Sequence, residues 1–411
     1  MQAHAFMPNH QLIVGAGIGG LGAAIALGLK GQQTTLFERN ATHSEFGAGI
    51  QLGPNALKRL KAWGLMSEVM RFAASPRAIE VYDWSQTKPL ARMALGESFK
   101  ARYGLPYLSV HRGDLHAMLL ARVHAVGQTD VRMNSQLHSL EQSTLGVQLQ
   151  FKNSSNGEFL PDVQAQSVLA CDGVFSTVRQ LIWPHRVLNN TGHIAYRALV
   201  PQHMLPLNLR SESIQVWMGP GAHWVQYPVR AGEWLNVVVL MQAGELNRER
   251  PLSHSEWQAV REPQQIQADF ARALFRASPI LQEMTRAVGS WAAWQLWDTE
   301  PLRGPHQMVK GRVALLGDAA HPMLPYLAQA GAMAIEDAQS ISECLSQDRE
   351  SLQLALEQYA QIRWLRNSRV QARARLQSKI YHAHGALGWA RNLALQSLGE
   401  SIMHLPWIHA G

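Results

Sequence analysis

The 411-residue sequence predicts a doubly wound α/β fold that carries an inserted antiparallel sheet and a helical C-terminal segment. Three observations predict it. A buried strand, "QLIVG", runs through a glycine-rich turn into a helix of small residues and on to a second strand, "QQTTLFERN". A strand–loop–helix pattern returns in "QAQSVLACDGVFSTVRQLI" and in "GRVALLGDAAHPMLPYLAQAGAMAIEDA". Between those two stretches the chain changes to short strands and tight turns. Strands alternating with helices ask for a parallel sheet, whereas short strands punctuated by turns ask for an antiparallel one.

In chain order, residues 11–15 form the first strand and "GIGGLGAAIALGLKG" the first helix, with the second strand ending at Glu38. "GPNALKRLKAWGL" reads as a helix from Asn55 to Leu65, and "HRGDLHAMLLARVHAVG" as another from Gly113. Residues 190–241 supply "HIAYRALV", "SIQVWM", "HWVQYPV" and "WLNVVVLM", with the turn signals "GPGA" and "RAGE" between the last three. A long helix spans Ser351 to Tyr381 and breaks at "HAHGALG". The expected organisation is a discontinuous nucleotide-binding domain (1–75, 105–182 and 305–345), a second domain (76–104 and 183–304) and a helical segment (346–411).

Composition narrows the class. Apolar residues make up 46% of the chain and charged residues 16%, which fits a folded globular protein and not a disordered one. The net charge of +7 admits anionic small ligands, but the basic residues are dispersed and no nucleic-acid-binding motif occurs. The densest basic stretch, Arg363, Arg366, Arg369, Arg373, Arg375 and Lys379, reads as a solvated helix face. Two cysteines, Cys171 and Cys344, and no N-terminal apolar segment fit a reducing, cytoplasmic setting. No apolar run is long enough to span a bilayer. No metal site is expected.

Gly15, Gly17 and Gly20 form G-x-G-x-x-G between the first strand and helix. That spacing suits a tight turn, backbone approach to a pyrophosphate and close helix–sheet packing, with the helix N-terminus facing the phosphate. Glu38 lies 18 residues past the last glycine, where a carboxylate accepts ribose hydroxyls; Arg39 beside it is counted with the cofactor-binding residues. These features call for a dinucleotide without separating NAD from FAD.

Two further motifs separate them. "CDGVFSTVR" carries D-G-x-x-S-x-x-R at Asp172, Gly173, Ser176 and Arg179, and "GDAAHP" follows at residues 317–322. With the glycine fingerprint, in this order, they make the chain resemble the FAD-dependent aromatic hydroxylases, the single-component flavoprotein monooxygenases. The resemblance covers nearly the whole chain and is weakest over 76–104 and 242–290. It implies a Rossmann-like FAD-binding domain with an inserted substrate domain, as in para-hydroxybenzoate hydroxylase. It also implies that Gly317 and Asp318 hold the ribityl or ribose part of FAD, and that the helix starting at Ala330 and Gly331 aims its N–H groups at the pyrimidine end of the flavin. Arg112 would contact the cofactor, and Asp172 and Arg179 would serve the FAD and NAD(P)H phosphate region. Relatives commonly carry Q-G-A or Q-G-G at Gln329, Ala330 and Gly331. An alanine in a left-handed conformation costs about 1–2 kcal/mol, so Ala330 is expected in a right-handed helical or extended conformation. His321 is read as structural.

The substrate side rests on "GPGAHWVQYPVRAG". Side chains alternate along a strand, so His223, Val225 and Tyr227 share one face. A histidine with a pKa near neutrality can take a phenol proton, which makes the ring more electron-rich. The salicylate, 3-hydroxybenzoate and 6-hydroxynicotinate hydroxylase subgroup resembles this chain in that four-residue His–Tyr spacing. It does so again in the loop "GAGIQLGPNA" and in "YHAHG". His223 and Tyr227 are therefore the expected catalytic residues, with Gln51 and Pro325 against the substrate. Seven of the thirteen tryptophans fall between Trp217 and Trp297, either lining an aromatic pocket or, for Trp291, Trp294 and Trp297, sitting in core or interface. There is no second glycine fingerprint and no C-x-x-x-x-C pair, which excludes the two-dinucleotide disulfide reductases.

The resemblance implies an FAD-dependent monooxygenase that consumes NADH or NADPH and O2. It would hydroxylate a small aromatic acid, a hydroxybenzoate first, through a C4a-hydroperoxyflavin. The alternatives are a heteroaromatic acid such as 6-hydroxynicotinate, a larger natural product, or a non-catalytic binding protein on the same fold. A monomer or homodimer without nucleic-acid or membrane partners is expected.

Overall fold

The computed structural model describes residues 10–42, 49–242, 269–271, 274, 276–346 and 351–410. Strands β1 (His10–Val14) and β2 (Gln33–Phe37) flank helix α1 (Ile18–Gly28). There follow β3 (Gly49–Leu52), β4 (Ala78–Asp83), β5 (Pro89–Ala94), β6 (Leu108–His111) and β7 (Thr129–Arg132). Next come β8 (Ser135–Gln142), β9 (Val147–Asn153), β10 (Val163–Ala165) and β11 (Ser167–Ala170). The second half carries β12 (Asn189–Pro201), β13 (Ile214–Gly219), β14 (Ala222–Val229), β15 (Trp234–Gln242), β16 (Ala292–Asp298), β17 (Val309–Lys310) and β18 (Val313–Leu315).

The first sheet has the order β17-β18-β11-β1-β2-β7 and is parallel apart from the β17–β18 pair. Strand order reverses beside β1, so the crevice at its carboxyl end is the place for a ligand. The strands are apolar almost throughout because helices cover both faces; Leu12, Ile13, Leu36, Val168, Leu169 and Ala314 are fully buried. A three-stranded antiparallel sheet, β10-β9-β8, is appended; its polar–apolar alternation, "VQLQF", is visible in the sequence but was not anticipated above.

The second large sheet has the order β16-β12-β15-β14-β13-β4-β5 and is antiparallel apart from β13–β4. One face buries Trp217, Trp224, Val237 and Val239, and the other presents Val216, Met218, His223, Val225 and Tyr227 to a cavity. Trp217 and Trp224 therefore build the core behind the sheet, because they pair across β13 and β14 on the face opposite His223. Trp294 and Trp297 line the smaller of the two cavities described below, and Trp257 lies outside the described residues. The helix expected from Asn55 runs Pro54–Ala62, and the long C-terminal helix runs Leu352–Tyr381.

The basic face of that long helix is only partly solvated as expected: Arg369 and Lys379 are exposed, but Arg363, Arg366 and Arg375 are paired. Arg363 is buried and reaches Asp337 and Glu336 at 2.7 Å each, Arg366 reaches Glu336 at 2.6 Å, and Arg375 reaches Asp298 at 2.7 Å. The carboxylates that cover it are distant in sequence, which is why local charge density misled.

Candidate active site

Two adjoining cavities, about 670 and 430 Å3, run from the carboxyl end of β1 to the face of β14. Gly17, Arg112, Arg197, Asp318, Pro325 and Ala330 line both. The smaller one is also lined by Gly15, Glu38, Arg39 and Asp172, the larger one by Gln51, His223, Tyr227, Gly317 and Gly331. Among the expected site residues, Gly20 and Arg179 stand outside both.

The glycine turn has three distinct jobs. Gly15 has φ +100°, and a Cβ there would stand 2.5 Å from the Cys171 carbonyl oxygen. At Gly20 a Cβ would stand 1.9 Å from the Gly15 carbonyl oxygen, so this glycine serves helix–strand packing. At Gly17 a Cβ would meet nothing within 4 Å, so this position faces open cavity where a phosphate can approach the backbone. Glu38 braces the turn by accepting hydrogen bonds from the Ala16 and Asn40 N–H groups, both at 2.9 Å.

Asp172 accepts from the Val178 N–H at 3.1 Å, while its Oδ1 is buried with no hydrogen-bond partner among the described residues. Burial pushes the Asp172 and Asp318 carboxyls above the usual carboxylate range, in Asp318 against the opposing charges of Arg112 and Arg179. An orphaned oxygen and a glycine open to the cavity are what a dinucleotide would complete, so the residues fit FAD.

Arg179 does something other than touch phosphate. It is 1% exposed, and its guanidinium donates to the carbonyls of Ala319 at 2.8 Å, Asp318 at 3.2 Å and Val174. It holds the backbone that carries Asp318. His321 is likewise internal: its Nε2 lies 2.6 Å from Asp337 Oδ2, which also accepts from the Gly317 N–H at 3.0 Å.

The helix Ala330–Leu345 begins at the cavity with its first N–H groups free of intrahelical partners. Ala330 lies inside this right-handed helix, as expected. The left-handed residue is Ala328, at φ +53° and ψ 34°. Behind the helix start, Asn55 donates to Gln329 at 3.0 Å and to Glu336 at 2.8 Å, fixing its position.

On the substrate side, β14 turns His223 and Tyr227 into the larger cavity. Burial drives the His223 imidazole well below its ordinary value, with His382 and His193 adding to the shift, so it stays neutral and is a weaker base than the near-neutral histidine expected from the sequence. Burial raises the Tyr227 hydroxyl, so it stays protonated and can donate. Gln51 accepts from the Tyr107 hydroxyl at 2.8 Å. Gly49 is pressed against this wall: a Cβ would collide with the Tyr227 ring, and its N–H donates to Asn236 at 2.7 Å.

Arg197 was not anticipated. It lies on β12 where the cavities meet, its guanidinium carbon 5.1 Å from the Trp294 ring centre and its buried Nε without a partner among the described residues. Burial lowers its pKa against a small opposing effect from Tyr227. A buried cation at the cavity wall with no carboxylate partner among the described residues is suited to an anionic ligand. In sequence it is one arginine among many on a strand, and only the sheet order shows where it points.

A nucleotide crevice at the end of β1, closed by a sheet face bearing neutral His, protonated Tyr and a buried Arg, defines an FAD-dependent aromatic monooxygenase. A family-wide sequence profile described as "FAD binding domain" matches residues 10–374, and the chain belongs to that family. It is 33% identical to 3-hydroxybenzoate 6-hydroxylase 1 of Aquipseudomonas alcaligenes over 94% of this chain and 93% of that one. It is 30% identical to 6-hydroxynicotinate 3-monooxygenase of Bordetella bronchiseptica over 82% of each chain. A solved salicylate hydroxylase substrate complex shares the fold, with a TM-score of 0.80 and 22% identity over 98% of this chain and 96% of that one. FAD is the cofactor and NAD(P)H the co-substrate. No helix among the described residues is long and apolar enough to cross a membrane.

Proposed function

We propose that the protein hydroxylates a hydroxybenzoate, 3-hydroxybenzoate first, with His223 as the base that deprotonates the phenol. The observation that carries this reading is the pairing, on one face of β14, of a buried neutral imidazole with a buried protonated phenol. His223 takes the substrate hydroxyl proton, and the Tyr227 hydroxyl donates to the phenolate oxygen. Arg197 faces the substrate's negative charge, and Gln51, oriented by Tyr107, offers a further polar contact. Bound FAD, reduced by NAD(P)H, supplies the electrophilic oxygen. One atom of O2 enters the ring and the other leaves as water. Asp172, Asp318, Gly17 and the Ala330 helix start would hold the cofactor, and Arg179 keeps the Asp318 backbone in place.

A second reading, oxidation of a hydroxylated pyridine carboxylate, is supported by the similarity to the 6-hydroxynicotinate enzyme. Stopped-flow flavin reduction with NADH and NADPH, in the presence of 3-hydroxybenzoate, salicylate or 6-hydroxynicotinate and followed by product analysis in air, tests both. The expected result is that 3-hydroxybenzoate accelerates reduction and emerges with one added oxygen. Acceleration with hydrogen peroxide as the sole product would contradict it.

A further inference from the structure

Behind His223, away from the cavity, stands a second imidazole. His223 Nδ1 lies 2.9 Å from His382 Nε2, and both rings are buried, at 1% and 5% exposure. At that distance one ring donates and the other accepts. Since Nδ1 is engaged with His382, Nε2 is the nitrogen His223 has left for a ligand. An Nε2 that accepts a proton requires the Nδ1–H tautomer, which makes His382 Nε2 the acceptor and puts the His382 proton on Nδ1. That Nδ1 is buried without a hydrogen-bond partner among the described residues.

The surroundings of the pair decide what it does with a charge. A His–carboxylate pair stabilises an imidazolium in place. Among the described residues the groups facing the two rings are His193, Tyr326, Tyr381 and Arg391, with Asp83 behind Arg391. Burial, then His193 and Arg391, bring His382 down to about 3. Both rings disfavour the charged form, so a proton taken up at one end is best balanced by one given up at the other. His382 caps the carboxyl end of the helix Leu352–Tyr381, whose carbonyl dipoles favour passing positive charge. Two residues further on, His384 is exposed. The backbone is anchored as well: the His382 N–H donates to Ser378 at 3.1 Å, and the His382 carbonyl accepts from Gly221 at 3.4 Å.

We propose that His382 relays the substrate proton from His223 out of the cavity. The substrate O–H breaks as the His223 Nε2–H forms. The His223 Nδ1–H breaks as the His382 Nε2–H forms, and the proton on His382 Nδ1, buried in the resting structure, passes to a water admitted at the helix end. No electron changes hands, and the reverse shift reprotonates the product oxygen and restores both tautomers. His382 is thus a positioning and relay residue that acts through His223, and its role rests on His223 being the base.

The test uses the FAD-loaded enzyme with 3-hydroxybenzoate as probe and compares His382→Gln, His382→Ala and His223→Gln. A glutamine at 382 can still accept from His223 Nδ1 but cannot pass a proton. His382→Gln is expected to bind the probe within about twofold of the parent and to hydroxylate about tenfold to a hundredfold more slowly. Its rate should recover as pH rises, and added imidazole should partly rescue His382→Ala. In the unaltered enzyme, the single-turnover hydroxylation rate should bow below a straight line as the deuterium fraction of the solvent rises, because the three protons of the relay move together. A parental rate and pH profile in His382→Gln, or a linear or absent deuterium dependence in the parent, would overturn the relay while leaving the base intact. Parental behaviour in His223→Gln would overturn the base, and the relay with it.

Discussion

Two buried polar clusters lie close to the cavities, and they are built on opposite principles. Behind the helix Ala330–Leu345, Asp337, Glu336, Arg363, Arg366, Asn367 and Asn55 form a network in which every carboxylate oxygen has a donor. On β14 and the end of the long helix, His223, His382, Tyr326 and Tyr381 pack ring on ring, with the His382 Nδ1 and Tyr326 hydroxyl unpartnered among the described residues. In the first cluster burial pushes Asp337 up, but the charges of His321 and Arg363 outweigh it and hold the carboxyl well below its ordinary range. In the second, burial acts unopposed and both imidazoles fall. Saturated charge makes a clamp, whereas unsaturated neutral rings leave atoms for chemistry.

Breaking the clamp should have the largest effect. Arg363→Met leaves the Asp337 and Glu336 charges buried without their main partner, and truncating one side of a buried pair costs about 3–5 kcal/mol. Chemical denaturation should show that loss together with poor FAD retention, because Gly317 and Gln329 hang on the same network. Stability unchanged within experimental error would mean the network is ornamental.

Opening the ring cluster should affect rate and not stability. His223→Ala is expected to slow hydroxylation by about a hundredfold or more while flavin reduction by NAD(P)H stays near the parental rate. Equal oxygenation rates in single-turnover experiments would remove His223 from the chemistry. Arg197→Gln should weaken binding of a carboxylated substrate by about tenfold to a hundredfold, the size of one charged hydrogen bond. The corresponding neutral phenol should lose little. An equal loss for both would place Arg197 against the phenol oxygen instead.

Acid separates the clusters without mutation. His382 is depressed from 6.5 to about 3, so the unfolded chain binds its proton first, and this share of stability is complete above pH 6.5 and declines as pH falls toward 3. Asp337 is depressed below 3.8, so its share is complete above that value and declines only in stronger acid. Thermal melts should therefore fall between pH 6.5 and 4 in the parent and fall less in His382→Gln. Identical slopes would contradict the assignment. The smallest effect is expected at Ala328, where glycine should relieve the left-handed strain and add about 1 kcal/mol to stability.

Much of this was legible in the sequence because it depends on local spacing. The glycine fingerprint lies in a short segment whose spacing places it, and Asp172, Asp318 and the helix start at Ala330 lie in short motifs that the family resemblance places. The two-residue period of a strand was enough to put His223 and Tyr227 on one face. What escaped depends on partners brought together by topology. The arginines of the long helix looked solvated until Glu336, Asp337 and Asp298 arrived from other elements. Arg179 shares a motif with Asp172, yet it turns inward to carbonyls some 140 positions away in the chain. Arg197 had no signal at all, because nothing in "HIAYRALV" says which cavity the strand will border.

The most direct test of the central claim is hydroxylation of 3-hydroxybenzoate under heavy-isotope oxygen, with NAD(P)H consumption and product mass followed together. The account predicts one labelled atom in the dihydroxybenzoate for each NAD(P)H oxidised in the parent. In His223→Ala it predicts NAD(P)H oxidation that continues while label in the product collapses. Full labelling in His223→Ala, or an unlabelled acid from the parent, would contradict it.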